Sequence, residues 1–349
     1  MKPPAATIIG IGSVTPFGVM AGLIPPVTLQ PVPITAWPTN GLRRAFVVTP
    51  FQPSSVVPGL KTRRLDRLSA WSMVAASLAL QDAGVDLSQM DRARIAVVFS
   101  TGFGCIELTE AFYQSAYKNG WSGTDPITFP ETLANSPPGH VALFHELRGP
   151  NITLSSKSFA GESALLQAAS LLRHGQADLA VVISGDSLTQ TMYEWFETAK
   201  VLSPACYAAD PLLEDCGFVP SEGVVALVME PEGSRDTRTY ARLHTGRWSA
   251  GGEPKGAVSQ MLGGATPNLT ICAGNGAPCA TGSPASSAAS IAGPGAAILP
   301  AQPVALGLTD TGALLHLVLA LSGKPESGQA LMLATSQDKG FAALLLDLP

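Results

Sequence analysis

The sequence predicts a layered α/β fold, on three observations. Short, wholly apolar runs recur along the chain, among them Leu179 to Ile183 and Val224 to Met229, and such runs suit strands covered on both faces. Longer stretches with helical spacing lie between them, and this alternation suits sheets sandwiched by helices. The chain also has 349 residues, 46% hydrophobic and only 13% charged, which is enough to bury a sizeable core.

Taken in order, Ala6 to Gly18 reads ATIIGIGSVTPFG, an apolar strand ended by a Gly/Pro turn. Its GIG suggests a dinucleotide loop, but no third glycine is correctly spaced, a proline follows, and no acid closes the next strand. Residues 20–60 are proline-rich and read as an irregular region. From Arg63 to Asp82, Leu65, Leu68, Trp71, Ala75, Leu78 and Leu80 fall near a three-to-four spacing and predict a helix stopped by Ala83 and Gly84. Ala96 to Ser100 is a buried strand running into the turn Thr101-Gly102-Phe103-Gly104. The strand Ile152 to Leu154 leads through small polar residues into Phe159-Ala160-Gly161 and a long Ala/Leu helix. Ser158 therefore stands at a helix N-terminus, where unpaired N–H groups and the helix dipole favour negative charge. A cysteine there would be activated, whereas a serine needs an adjacent general base. Residues 249–300 hold many Gly, Ala, Ser and Pro. That composition permits a flexible linker, but the scarcity of charge and the strand Leu269 to Ala273 favour packed small residues.

The net charge of -5 leaves no footprint for nucleic acid, and no basic run suits membrane anchoring. The apolar runs Val224 to Met229 and Ala313 to Leu321 are too short to span a bilayer. With no signal-peptide pattern at the N-terminus, a cytoplasmic location is expected. Cys105, Cys206, Cys216, Cys272 and Cys279 are odd in number and show no CxxC spacing, so reduced, mostly buried thiols are expected rather than disulfides or zinc. His140 and His145, five apart, do not share a helical face as a metal pair would. They read, with His174 and His244, as surface or satisfied core histidines, and His316 as a packed or interface residue in its apolar helix. HExxH, EF-hand, Walker and GxSxG patterns are absent, and neither a metal nor a cofactor is expected.

Several of these segments resemble the β-ketoacyl-acyl-carrier-protein synthase family. The opening resembles VVITGIGxVTPLG. Residues 96–104 resemble RVGVIVGTGxGG, and Gly217 to Glu230 resembles GFVxGEGAGxLVLE with Ser221 for a glycine. Thr153 to Gly161 resembles TVSTACASG, and Leu172 to Ala180 the following IRxGxxDxA. The resemblance is dense through residues 5–235 and faint over 236–349. It implies a thiolase-like five-layer αβαβα fold of two similar halves, 1–235 and a shortened, degenerate 236–349.

Departures fall on the family's chemistry. Aligned on Gly161, the catalytic cysteine becomes Ser158, and the two family histidines fall at Gly274 and Asp310. The closing glycine motif has decayed to Thr335 through Ala343. Within the family this pattern is similar to a chain-length factor, a ketosynthase that lost its cysteine and pairs with an active one in type II polyketide, aryl-polyene or fatty-acid-like synthesis. The resemblance implies a heterodimer with a catalytic ketosynthase, an acyl carrier protein as second partner, and Phe159 and Cys105 as walls of an acyl tunnel. Ordinary core packing is an alternative for Phe159. Lys157 reads as a contact for a carrier-protein phosphate, for an internal carboxylate, or as packing. Ser158 is expected to cap its helix through Oγ. A second reading makes Ser158 the nucleophile of an acyltransferase or hydrolase, with His244 or His316 as base. A third is a scaffold that carries no acyl chain.

Overall fold

The computed structural model describes residues 6–25, 27, 29–35, 37, 43–156, 158–202, 218–234, 238–249, 254–263, 265–272, 297–299, 312–335 and 340–348. Five strands come first: β1 (Ala6–Thr15), β2 (Ile95–Thr101), β3 (Asn151–Ser155), β4 (Leu179–Asp186) and β5 (Gly223–Pro231). Five more follow: β6 (Ala241–Ser249), β7 (Leu269–Cys272), β8 (Ala297–Leu299), β9 (Gly328–Thr335) and β10 (Phe341–Leu348). Their order in one sheet is β3-β2-β4-β5-β1-β6-β10-β9-β7-β8, and a short strand, Gly18–Ala21, folds back on β1.

The order is a repeat. Going outward from β1, the pairings are antiparallel, antiparallel, parallel and parallel, through β5, β4, β2 and β3. Going outward from β6, they have the same senses through β10, β9, β7 and β8. The two half-sheets are joined where β1 meets β6, Ala6 opposite Leu243 and Ile8 opposite Ala241.

The helices are α1 (Arg67–Asp82), α2 (Ile106–Asn119), α3 (Ser136–His145), α4 (Ala160–Arg173), α5 (Gln190–Thr198), α6 (Pro254–Leu262) and α7 (Ala313–Ser322). Alternation along the strands sorts them into layers. On β4, Ala180 and Val182 pack with α4 and α7, while Val181 and Ile183 pack with α1 and α3. On β10, Leu344 and Leu346 enter the same central cluster, and Leu345 meets Val258 and Leu262 of α6. The layers are therefore α1 with α3, a half-sheet, α4 with α7, a half-sheet, and α6. This is the expected five-layer arrangement.

Two details differ from the local reading. The first helix starts at Arg67 rather than Arg63, because Asp66 is its N-cap and accepts from Leu68 N at 2.9 Å, and Arg64 is left-handed (φ 83°). The glycines of GIG are there for packing. A Cβ at Gly12 would lie 2.2 Å from Ala75 O, and one at Gly10 2.3 Å from Ala79 O, so they let α1 cross β1 at backbone contact. The proline-rich region is held from outside itself: Phe46 N donates to Pro220 O at 2.8 Å and Val48 N to Glu222 Oε1 at 3.1 Å. In the small-residue tract, α6 and β7 are ordered elements, and residues 273–296 lie outside the described residues. Among the described residues, no helix is long and apolar enough to cross a membrane.

Asp66 also accepts from Leu108 N at 3.0 Å, tying α2 to the start of α1. Burial is the main reason its pKa rises to about 6. Because the folded value is raised, the stability from neutral Asp66 is present below its unfolded pKa and is lost as pH rises through about 6. Relative to Asp66→Asn, the wild type is expected to lose on the order of 2 to 3 kcal/mol between about pH 4 and about pH 7. Urea denaturation of both proteins at the two pH values measures it.

Candidate functional site

Position 158 lies in the turn between β3 and α4. The turn begins with Ser156, whose N donates to Thr101 O at 3.1 Å. Ser156 Oγ then donates to Ser158 O at 2.7 Å and accepts from Ser158 N at 3.3 Å. Phe159 is the N-cap residue, in the left-handed conformation (φ 60°, ψ 30°), and no side chain caps the helix. The expectation that Ser158 Oγ caps α4 is thus corrected. Ser158 stands one residue too early, and Ser156, two residues further back, closes the turn in the manner of serine turns.

Phe159 is 5% exposed and belongs to the central core. A bulky side chain at positive φ is an outlier that costs of order 1 to 3 kcal/mol, and burial of the ring offsets it. Two residues on, a Cβ at Gly161 would lie 2.8 Å from Ala313 Cβ and 3.2 Å from Leu314 Cδ1. The N-terminal turns of α4 and α7 therefore meet with the side chains of Ala313 and Leu314 against the Gly161 backbone, three residues from position 158.

The neighbouring turn after β2 is fixed by Asp186, at the end of β4. Its carboxylate accepts from Thr101 Oγ1 at 2.6 Å, Gly102 N at 3.0 Å and Phe103 N at 2.9 Å, while Thr101 Oγ1 accepts from Gly104 N at 2.8 Å. Cys105 follows. Its Sγ donates to Leu133 O at 3.4 Å and lies 3.9 Å from Ser69 Oγ of α1. Burial, and then the charge of Asp66, push its thiol well above the ordinary range, so it is inert at neutral pH. Cys105 lies beside α1, and Phe159 lies in the central layer with α4 and α7.

Four of the five histidines are engaged away from Ser158. His140 Nε2 donates to Glu131 Oε2 at 2.7 Å, and His174 Nδ1 to Ser170 O at 2.8 Å at the far end of α4. His145 Nε2 meets Ser77 Oγ at 3.0 Å, and its pKa is pushed down to about 4 by burial and then by Arg92. His244 Nε2 donates to Asp347 Oδ2 at 2.6 Å. Leu243 and Leu346, adjacent to this pair in β6 and β10, face the central cluster, so alternation puts His244 and Asp347 on the outward face of the second half-sheet. The prospect of His244 as a base for Ser158 is corrected by that register. His316 does lie in the central layer, but burial pushes its pKa down to about 4 and weakens it as a base. Lys157, Gly274 and Asp310 lie outside the described residues.

The sequence reading missed Asp186 and the buried Glu222, which accepts from Val48 N and Leu188 N and pairs with Arg67 at 3.3 Å. A signal for Asp186 existed: it is a carboxylate ending the apolar run LAVVISG.

Two half-sheets of one topology around a pair of helices that meet at their N-termini define a thiolase-type fold. The chain belongs to the β-ketoacyl synthase family, since residues 38–234 match the model described as Beta-ketoacyl synthase, N-terminal domain. It is 28% identical over 262 residues to 3-oxoacyl-[acyl-carrier-protein] synthase 2 of Vibrio cholerae, covering 70% of this chain and 62% of the relative. Nodulation protein E of Rhizobium leguminosarum bv. trifolii is 28% identical over 51% of this chain and 44% of its own length. The matched region thus spans 62% of the first relative and 44% of the second. Among solved structures, the ishigamide ketosynthase/chain length factor aligns with a TM-score of 0.76 at 20% identity over 99% of both chains. A β-ketoacyl synthase from Burkholderia phymatum aligns with a TM-score of 0.78 at 16% identity, over 99% of this chain and 100% of that one. A complex of a type II polyketide synthase acyl-carrier protein with its ketosynthase, bound to the hexaketide, gives the same TM-score, identity and coverage. At these identities the likeness establishes the fold.

Two outcomes follow from the geometry. Asp186→Ala strands several buried N–H and O–H donors and is expected to cost about 3 kcal/mol or more. At position 159, Phe159→Gly is expected to be about 1 kcal/mol more stable than Phe159→Ala, since only glycine adopts φ 60° freely. Chemical denaturation of the three variants checks both.

Proposed function

We propose that the chain is a chain-length-factor subunit without catalysis of its own, which pairs in the cytoplasm with an active β-ketoacyl synthase and shapes the tunnel for the growing acyl chain. The observation that carries this reading is position 158. The scaffold that activates a cysteine is kept, but Ser158 occupies it, and Gly274 and Asp310 stand where the family has histidines. A serine hydroxyl without an adjacent base is a poor nucleophile at neutral pH.

Two surfaces support pairing with a ketosynthase. β3 is an edge strand: it pairs with β2 on one side, and among the described residues no strand covers the other. Such an edge invites a strand from another chain. Beyond β2, the segment from α2 onward exposes Tyr113, Tyr117, Trp121, Ile127 and Phe129, a run of apolar side chains that marks an interaction site. One structural relative is titled as a ketosynthase/chain length factor, and another holds an acyl-carrier protein with its ketosynthase. For a carrier protein, the segment before α1 offers Lys61, Arg63 and Arg64, all exposed and, among the described residues, without an ion pair. On a chain of net charge -5, a local cationic cluster suits the phosphate of a carrier protein's arm.

Co-expression with a catalytic ketosynthase is expected to yield a stable heterodimer, read by size-exclusion chromatography with light scattering. A chain that stays monomeric at micromolar concentration and retains no ketosynthase contradicts the reading. Intact-mass analysis after incubation with acyl-carrier protein or acyl-CoA is expected to show no ester. An ester lost in Ser158→Ala favours an acyltransferase or hydrolase instead. Reversing the charges at Lys61, Arg63 and Arg64 together is expected to weaken carrier-protein binding by roughly tenfold at low salt, and less at high salt.

A further inference from the structure

Helix α7 runs between the two half-sheets, and Ala313, Leu314, Leu315, Leu317 and Val318 are all buried in the central core. His316 is the exception in polarity but not in burial, at 5% exposed. Among the described residues, neither of its ring nitrogens has a hydrogen-bond partner. The Gly312 carbonyl, one turn back, favours the protonated ring, second to burial, but makes no hydrogen bond to either nitrogen. Burial keeps the imidazole neutral at physiological pH, so it holds one N–H donor and one acceptor nitrogen, both unused. A buried polar group left in that state costs about 1 to 3 kcal/mol, whereas a leucine in the same helix would cost nothing of the kind. The first turn of α7 touches Gly161, three residues from Ser158, so His316 lies one turn from the point where the central helices meet.

We propose that His316 recognises an oxygen function, a keto or hydroxyl group, on an acyl chain held in the central layer; this rests on the reading of the chain as a tunnel-shaping subunit. A keto oxygen accepts from the ring N–H, and a hydroxyl engages either nitrogen. A saturated chain offers neither, so the substrate class this implies is an oxygenated, polyketide-like acyl chain rather than a fully reduced one. Solvation by water inside the core is the competing explanation, and it gives no preference between the two chains.

The test uses the full chain with 15N-labelled histidine and two probes of equal length, 3-hydroxydecanoyl-pantetheine and decanoyl-pantetheine. Wild type is expected to bind the hydroxylated probe about tenfold more tightly, the worth of one hydrogen bond. The His316 ring resonances are expected to move with that probe alone. His316→Leu is expected to fold, with a raised melting temperature, and to lose the preference while keeping its affinity for the decanoyl probe. His316→Gln, which retains a donor and an acceptor, restores part of the preference. If wild type binds both probes alike, or the leucine variant keeps the preference, the inference fails and the tunnel-shaping reading stands. If neither probe binds, the inference fails as well, and the tunnel-shaping reading is then decided by the heterodimer test.

Discussion

The approach of Gly161 to Ala313 sets the spacing of the central layer. With a side chain at 161, α4 and α7 would have to separate, and because each is packed against both half-sheets, the whole stack would open with them. The same device operates once more on the outer side, where Gly10 and Gly12 admit the backbone of α1 onto β1. Layer thickness in this fold is therefore decided at a few positions without a Cβ, and the larger apolar side chains fill the space those positions define.

Loops are positioned by a different means. Asp66, Asp82, Asp186 and Glu222 each accept from backbone N–H groups distant in sequence: Leu108, Ile11, Gly102 with Phe103, and Val48 with Leu188 respectively. Asp186 and Glu222 supply to irregular segments the acceptors that a neighbouring strand supplies inside the sheet, Asp66 accepts from the first turn of α2, and Asp82 from β1 itself. The arrangement has a cost. Burial raises the pKa of Asp66 and Glu222, so these two carboxylates tie the stability of the segments they hold to pH.

At position 158 this architecture is kept while the chemistry is changed. The elbow, the uncapped end of α4 and the meeting of two helix N-termini persist around Ser158 and a strained Phe159. Of the histidines that might have served a nucleophile, His244 faces outward and His316 is a neutral group in the core. A retained scaffold whose cysteine position holds serine is the observation on which the proposed binding-and-shaping role rests.

Much of this was legible in the chain. Strands around Ile152, Leu179 and Val224, the helix ending at Gly84, the place of Ser158 and the family likeness all rest on local periodicity or ordered motifs, which nearest neighbours determine. The helix start at Arg67 was obscured because the apolar spacing runs on past Asp66, and only its hydrogen bond to Leu68 N marks the cap. Ser156 rather than Ser158 holding the turn, Phe159 and Cys105 lying in different surroundings, and His244 pointing away from the centre were decided by tertiary structure. Which face a residue presents and which distant backbone group it meets depend on strand register and on where helices cross. Those are fixed by packing between segments that are not neighbours in sequence, and no local pattern records them.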